Sequence, residues 1–273
     1  MNKNLHFFGC SVTAGNELWE EANIPNYRNM TFDEAKQAMH GLPYDEVRAH
    51  NKANSFPQLV ADQLGIPVSN HAIPGISNKE IASRAIAYFP EDHYEDTVVF
   101  LQFTTHNRMF LRYKETGNNS LVGSFVVHHK ANDDRLTKGQ SNLLREMFFE
   151  FFNETIMAHD DHVFMYYAAQ VLKDKGITPY VIWPAVDIID WGYWDKTTND
   201  VNTEKEITIK NDVEPQFSNG ISRHLAKNNI KYNILRKTLS EVGGENAHLP
   251  RHHFSQNAHI NIANAIVEKL KNV

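Results

Sequence analysis

Four residues of the chain carry groups that together could cleave an acyl bond. Ser11 offers a hydroxyl nucleophile, and His253 offers an imidazole that can accept the proton of that hydroxyl. Asn107 supplies a side-chain amide donor, and Gly75 lets a backbone N–H approach a substrate closely because glycine has no side chain. Such donors suit a carbonyl oxygen that becomes negative in the transition state. The four residues predict a nucleophile, a base and an oxyanion hole.

Each of these residues also has a purely structural interpretation when it is considered alone. Ser11 could cap the segment that follows it, Gly75 could be a plain turn residue, and Asn107 could cap a loop. His253 is one of 15 histidines in the chain, and three others crowd the same stretch. Only the joint occurrence of all four residues at one edge of a fold favours chemistry.

The elements that must position these residues alternate between apolar strands and amphipathic helices. We predict strands over residues 5–8, 66–72, 96–102 and 178–184. We predict helices over residues 31–39, 55–65, 79–89, 141–175 and 255–271. The run from 96 to 102 is apolar on both faces, which is typical of a parallel strand covered by helices on both sides. The pattern predicts an α/β fold with three layers, α/β/α, around a mostly parallel central sheet.

This fold predicts where the four residues meet. Ser11 follows the first predicted strand, and Gly75 follows the second. Asn107 follows the third, and His253 comes just before the last helix. Because ligands bind outside the carboxyl ends of the strands in open α/β sheets, we expect the four residues to converge on that edge.

Three polar stretches interrupt the alternation of strands and helices. They cover residues of about 17–54, 112–140 and 190–220, and the second contains a predicted hairpin around residues 121–128. No internal repeat or low-complexity tract separates the elements into two groups. We therefore predict one domain over residues 1–273, with three insertions that shape the substrate pocket.

Composition excludes several classes of protein. The chain has 273 residues, and its 41% of hydrophobic residues is too high for a mainly disordered protein. Its net charge of −6 argues against a general nucleic-acid binder, which needs a basic face. The longest apolar runs, such as 97–103, are far shorter than the ~20 residues that span a bilayer. We expect neither nucleic acid nor membrane as a partner.

The first residues and the cysteine content predict a compartment. No signal peptide is visible after Met1, and Cys10 is the single cysteine, so the chain cannot form an internal disulfide. Both features predict a cytoplasmic protein.

In order and spacing, the four segments resemble the motifs of the SGNH family of serine hydrolases, the GDSL-like esterases and lipases. The first segment is Gly9-Cys-Ser11, followed by Thr13 and Gly15. The others are Asn70-His-Ala-Ile-Pro-Gly75, Thr105-His-Asn107 and His253-Phe-Ser255 with the helix that follows. The resemblance covers most of the chain, and it implies the flavodoxin-like fold of that family.

The resemblance also implies roles for the residues. Ser11 becomes the nucleophile and His253 the base, and the oxyanion hole comes from the Ser11 N–H, the Gly75 N–H and the Asn107 side chain. The implied reaction is hydrolysis of a carboxylic ester, with a short acyl chain or an O-acetyl group on a carbohydrate, through an acyl-enzyme. We expect a small-molecule or carbohydrate ester as substrate, without a cofactor or a metal.

The sequence departs from the family pattern at three positions. Cys10 replaces the usual aspartate before the serine, and Thr105 replaces the glycine of the third motif. Pro250 stands where the acid of the triad is expected, three residues before His253. The job of that acid is to fix the imidazole tautomer and to stabilise the imidazolium.

Several groups could replace the missing acid. One is a backbone carbonyl, and the nearest carboxylates by sequence are Glu245, Asp187 and Asp190. A Ser–His dyad without an acid, or a site that has lost its activity, are the other possibilities.

Three other functions fit parts of the sequence. A metal hydrolase would use the abundant histidines, but the chain has no His-Glu-x-x-His motif. A nucleophilic Cys10 is less favoured than Ser11 because a buried thiol is inert. A non-catalytic module that binds a carbohydrate or a protein partner is the main alternative, with Trp183 and the Trp191-Gly-Tyr-Trp194 segment as candidate stacking surfaces.

Overall fold

The computed structural model describes most of the chain up to residue 182 and the C-terminal part that closes it. The described residues are 4–91, 93–104, 108–114, 120–126, 138–139, 142, 154–182, 232, 234–235, 239–245, 247–250 and 253–271. Asn107, the tryptophans from Trp183 to Trp194 and the predicted insertion over 190–220 lie outside them. The division into one domain with three insertions stays a prediction.

The strands form a parallel sheet and a separate hairpin. They are β1 (Asn4–Phe8), β2 (Val68–Asn70), β3 (Thr97–Gln102), β4 (Arg108–Lys114), β5 (Ser120–Val126) and β6 (Thr178–Ile182). The sheet has the order β2-β1-β3-β6, and all three pairings are parallel. Because β6 is its fourth strand, this order matches the start of the flavodoxin-like order 2-1-3-4-5.

The helices occur between and after these strands. They are α1 (Ser11–Ala14), α2 (Leu18–Asn23), α3 (Phe32–Ala38), α4 (Tyr44–Asn54), α5 (Phe56–Leu64), α6 (Asn78–Tyr88), α7 (Glu154–Asp174), α8 (Leu239–Gly243) and α9 (Gln256–Lys271). A short 3₁₀ helix, Tyr27–Asn29, joins α2 to α3. None of the described helices is long and apolar enough to cross a bilayer.

Two apolar cores, one on each face of the sheet, confirm the predicted three layers. On one face, side chains such as Phe8 and Leu101 pack with residues of α6 and α7. On the other, side chains such as Phe7 and Phe100 pack with residues of α5 and α9. All six residues of β3 are buried, as expected for a central strand covered on both sides.

The stretch 17–54 contains more helix than the sequence predicted. The predicted helix near 31–39 is confirmed as α3, where Thr31 and Glu34 form a reciprocal capping box. Helices α2 and α4 were missed. In α4 only Asn51 is buried, so the helix has no apolar stripe for periodicity to reveal.

The hairpin predicted within the second insertion begins earlier than expected. The hairpin β4–β5 spans 108–126 with antiparallel pairing, whereas the sequence placed a hairpin around 121–128. Of the helix predicted over 141–175, α7 is the part described in full, and Gly176 follows it with a positive φ of 83°.

The N-terminus of α5 depends on a residue from the other end of the chain. Ser55 occupies the cap position, but its hydroxyl donates to the carbonyl of Lys52 instead of accepting from the helix. The Phe56 N–H donates to Nδ1 of His259, at 3.0 Å. His259 is fully buried, and burial, followed by the nearby charge of His253, lowers its pKa to about 3.

We expect His259 to make the fold sensitive to acid. The pKa of His259 lies below the ordinary value of 6.5, so between pH 6.5 and 3 the unfolded chain takes up a proton that the folded chain refuses. The free energy of unfolding contributed by this residue therefore falls as the pH is lowered through that range. In His259→Asn, which keeps a local acceptor but cannot be protonated, the loss between pH 7.5 and pH 5 should be smaller by about 1–2 kcal/mol in urea titrations.

The exposed residue His40 provides the control. His40→Asn should leave the pH dependence of unfolding as it is in the wild type. Equal pH slopes for the wild type and His259→Asn would contradict the expectation.

Candidate active site

The predicted nucleophile lies in a tight turn at the carboxyl end of β1. Gly9 ends the strand, and a side chain there would overlap the hydroxyl of Thr13. That hydroxyl donates to Oε1 of Gln102 at 2.9 Å, and the Cys10 N–H and thiol face the same oxygen at 3.4 Å. Gln102 ends β3, so the turn is fastened to the neighbouring strand. Ser11 is therefore held as the buried first residue of α1.

The chain then reverses direction sharply. Gly15 ends α1 with a φ of 78°, and a side chain on it would lie 2.5 Å from the carbonyl oxygen of Asn51. The N–H of Asn16 donates back to the carbonyl of Ser11 at 3.0 Å. Glu17 follows with a φ of 73°, so the reversal places a carboxylate six residues after the predicted nucleophile.

Glu17 is the residue that contacts the predicted base. Its Oε2 lies 2.6 Å from Nδ1 of His253 and also accepts the His253 backbone N–H at 3.2 Å. Its Oε1 accepts the hydroxyl of Tyr27 at 2.5 Å. A carboxylate can only accept hydrogen bonds, so Nδ1 carries a proton, and in the neutral imidazole Nε2 then keeps its lone pair. That is the tautomer a general base requires.

Glu17 was not among the groups that the sequence offered as partners for His253. Glu245, the nearest carboxylate by sequence, is exposed in the loop after α8, while Asp187 and Asp190 lie outside the described residues. Glu17 was missed because it belongs to a stretch interpreted as a polar insertion and lies 236 residues from its partner. Its local sequence did not distinguish it from the other glutamates of that stretch, Glu20 and Glu21.

The segment before α9 holds His253 in a narrow loop. The Leu249 N–H donates to the carbonyl of His253, and the Ser255 N–H donates to that of Ala247, both at 2.7 Å. Pro250 lies in the turn that this pairing closes. The position at which the family pattern has its acid therefore shapes the loop in this chain.

The two predicted catalytic side chains are brought to the same turn, but they are not joined by a hydrogen bond. Glu17 connects them, since it lies on the loop of Ser11 and binds His253. Among the residues that the structure describes, no hydrogen bond links the Ser11 hydroxyl to the imidazole. Catalytic hydrogen bonds are often long before substrate binds and tighten in the complex.

Gly75 approaches this turn through the segment after β2. The Ile73 N–H donates to the carbonyl of Gly9 at 3.1 Å, and the Asn70 amide donates to the carbonyl of Thr13 at 3.0 Å. Gly75 follows with a φ of 87° and is exposed. Its N–H makes no hydrogen bond to the described part of the chain.

Asn107 lies outside the described residues, but the point at which the chain leaves β3 toward it is fixed. Asn78 accepts the N–H of Thr104 at 2.7 Å and donates to its carbonyl at 3.1 Å. The same amide donates to Asp161 at 2.7 Å. Burial raises the pKa of Asp161 well above its ordinary value, with Asp160 adding to the effect and the Asn78 hydrogen bond opposing it.

No motif or spacing in the sequence singled out Asn78, and Asp161 was considered only as part of a cluster, Asp160-Asp-His162, that is a poor metal chelator. Asn78 begins α6 three residues after Gly75, so a single side chain connects the glycine segment to the segment that leads to Asn107.

Within the described ranges, no three His, Cys, Asp or Glu side chains are grouped so that they could hold a metal ion.

Comparison with known proteins identifies relatives only at the level of structure. No protein-family model matches the chain, and no curated protein matches it. Among solved structures, the chain is similar over 99% of its length to a psychrotrophic esterase from Pseudoalteromonas sp., of which it covers 97%, with 10% sequence identity and a TM-score of 0.45.

Two further structures are similar to the chain. One is a lipolytic protein of the G-D-S-L family from Desulfitobacterium hafniense, with 98% of this chain and 99% of that one covered, 10% identity and a TM-score of 0.42. The other is a family two carbohydrate esterase from Clostridium thermocellum in complex with cellohexaose, with 11% identity and a TM-score of 0.42; all of this chain is covered, but only 64% of that one.

We expect Glu17 to determine the tautomer of His253. In the wild type, NMR of ¹⁵N-histidine-labelled protein should show a protonated Nδ1, an unprotonated Nε2 and a far-downfield proton shared with the carboxylate. In Glu17→Gln only one accepting oxygen remains, for which Tyr27 and His253 compete, so the downfield proton should be lost and the Nε2–H tautomer should appear.

Glu21→Gln is the matched control for this experiment. Glu21 accepts the Gln256 N–H at 2.8 Å, close to His253 in sequence, but does not touch the imidazole. This variant should keep the wild-type tautomer, and an unchanged His253 spectrum in Glu17→Gln would disprove the assignment.

Proposed function

We propose that the protein is a serine esterase that uses a Ser11–His253–Glu17 triad. The observation that carries the proposal is the buried Glu17 carboxylate 2.6 Å from Nδ1 of His253, on the loop that begins with Ser11. The contact supplies the acid that the sequence lacked before the histidine. The proposed substrate is a carboxylic ester with a short acyl chain or an O-acetyl group on a carbohydrate.

The proposed reaction has two halves. Nε2 of His253 takes the proton of the Ser11 hydroxyl while Oγ attacks the ester carbonyl, and Glu17 stabilises the imidazolium that forms. The imidazolium then gives its proton to the departing alcohol, which leaves an acyl group on Ser11. In the second half, water attacks the acyl group, His253 accepts and returns the proton, and the carboxylic acid is released.

The oxyanion of both tetrahedral intermediates needs fixed donors. The proposed donors are the N–H of Ser11, the N–H of Gly75 and the side chain of Asn107. Two of these are supported by position, because Ser11 begins α1 and the Gly75 segment is hydrogen-bonded to the nucleophile turn.

The chain has a single cysteine, Cys10, and therefore forms no internal disulfide. We propose the cytoplasm as its compartment.

The activity should depend on Ser11 and on the charge of Glu17. The wild type is expected to hydrolyse p-nitrophenyl acetate and to be labelled by a fluorophosphonate, and Ser11→Ala should lose both properties. Glu17→Gln should lower kcat by about 10³–10⁴-fold with little change in KM, because it disfavours the tautomer that accepts the serine proton.

Glu21→Gln is the control here as well, since it should leave kcat near the wild-type value. If the wild type shows neither turnover nor labelling, the proposal fails, and the alternative is a non-catalytic module that binds a carbohydrate or a protein partner.

Loss of the Asn107 amide should affect the transition state more than the bound substrate. Asn107→Ala is expected to lower kcat by roughly 10²–10³-fold, as for other oxyanion-hole donors. Steady-state kinetics and thermal unfolding should be measured together, because an unchanged melting temperature shows that the loss is chemical. A wild-type kcat would remove Asn107 from the mechanism.

A further inference from the structure

A cleft of about 570 Å³ opens beside Glu17, the proposed acid, while Ser11 and His253 are not among the residues that line it. Its floor includes Asn16 and Glu17 from the turn after the nucleophile. One wall is formed by residues 72–74, which lead directly to Gly75. A molecule bound in the cleft therefore lies between the loop of the proposed acid and the segment of a proposed oxyanion donor.

The opposite wall is one face of α4. Tyr44, Arg48 and Lys52 follow one another at intervals of four residues, so they project from the same side of the helix into the cleft. All three side chains are exposed, Tyr44 to 71%. Two cations and an aromatic ring thus form the rim of the cleft.

The two cations of the rim, Arg48 and Lys52, differ in their ion pairing from two arginines elsewhere in the chain. Arg28 pairs with Glu21, and Arg84 pairs with Glu80 at 2.9 Å. By contrast, Arg48 and Lys52 have no ion-pair partner in the part of the chain that the structure describes. The charge of Lys52 also contributes to lowering the pKa of His71, after burial, so its field reaches the residue next to the opposite wall.

The position of α4 is fixed by contacts near its C-terminal end. The buried amide of Asn51 accepts the Trp19 N–H at 2.7 Å. The carbonyl of Asn51 packs against Gly15, where any side chain would collide with it. The helix that carries the two cations is therefore attached to the same turn that carries Glu17.

The acidic residues of the cleft do not neutralise this rim. Glu17 and Glu20 also line the cleft, but both are buried at its floor. Glu17 is engaged by His253 and Tyr27. A ligand thus meets the positive charges at the rim and the two carboxylates only at depth.

We infer that the cleft selects esters that carry an anionic group, which Arg48 and Lys52 bind next to the turn that follows Ser11 and the segment that leads to Gly75. This inference rests on the proposed esterase function and names the substrate class of that site. A carboxylate, sulfate or phosphate satisfies both cations by charge-assisted hydrogen bonds, and Arg48 can bind such a group through two N–H donors. The anionic group can belong to the acyl part or to the alcohol part of the ester.

The test compares charged esters with neutral esters of the same size. For the alcohol side the pair is 3-acetoxybenzoate and 3-acetoxybenzamide, and for the acyl side it is the p-nitrophenyl monoester of adipate and p-nitrophenyl hexanoate. In at least one pair, kcat/KM should be about tenfold higher for the anionic ester at low salt. The preference should decline toward one as NaCl approaches 1 M.

Variants of the rim test whether Arg48 and Lys52 cause the preference for anionic esters. Arg48→Ala/Lys52→Ala should abolish the charge preference and leave kcat/KM for the neutral esters within about twofold, because both side chains lie outside the catalytic groups. Lys36→Ala is the matched control, since it removes an exposed cation from α3, away from the cleft. It should keep the wild-type preference.

A binding measurement separates failure of this inference from failure of the proposed esterase. Adipate and 3-hydroxybenzoate should bind the wild type by NMR saturation transfer, and the double variant should bind them at least about tenfold more weakly, whether or not any ester is hydrolysed. Turnover of neutral esters without a charge preference, together with equal binding of these anions by wild type and double variant, would overturn the inference and leave the esterase intact. Anion binding without turnover would overturn the proposed esterase function but support anion binding by Arg48 and Lys52 in the cleft.

Discussion

The contact between the buried Glu17 carboxylate and His253 is the interaction on which the rest of the site depends. Removing Glu17 from water carries a large desolvation penalty, and only close hydrogen bonds offset it. The structure provides them from the Tyr27 hydroxyl, the His253 N–H and the His253 ring. Loss of one partner of such a buried group typically costs about 3–5 kcal/mol, so the contact holds both ends of the chain at one place.

The sheet provides the frame for this contact. Because β1, β2 and β3 are parallel, their carboxyl ends face the same edge, and each is followed by a segment that contributes to the site. Gln102 fastens the nucleophile turn to the third strand, and Asn70 fastens it to the second strand. The predicted edge and the predicted fold follow from the same parallel arrangement.

The features of the fold and site that could be predicted are those marked by a local sequence pattern, whereas features that depend on contacts between distant residues could not be predicted. The strand 96–102 and the helix 255–271 carry local patterns, and the structure confirms both within one residue. Helix α4 carries no such pattern, because its one buried residue is polar and most of the others are exposed. Glu17 and Asn78 could not be selected from sequence, because what distinguishes them is a partner brought near only by the fold.

The source of the acid has a consequence for the insertion that contains it. In the family pattern that the chain resembles, the acid lies three residues before the base. In this chain the base is oriented from the nucleophile loop, so α2 and the 3₁₀ helix must bury Glu17 and deliver the Tyr27 hydroxyl to it. Helix α4 packs on the same turn through Asn51 and forms a wall of the cleft. The segment that shapes the cleft therefore also positions the proposed base, and a change that reshapes one must preserve the geometry of the other.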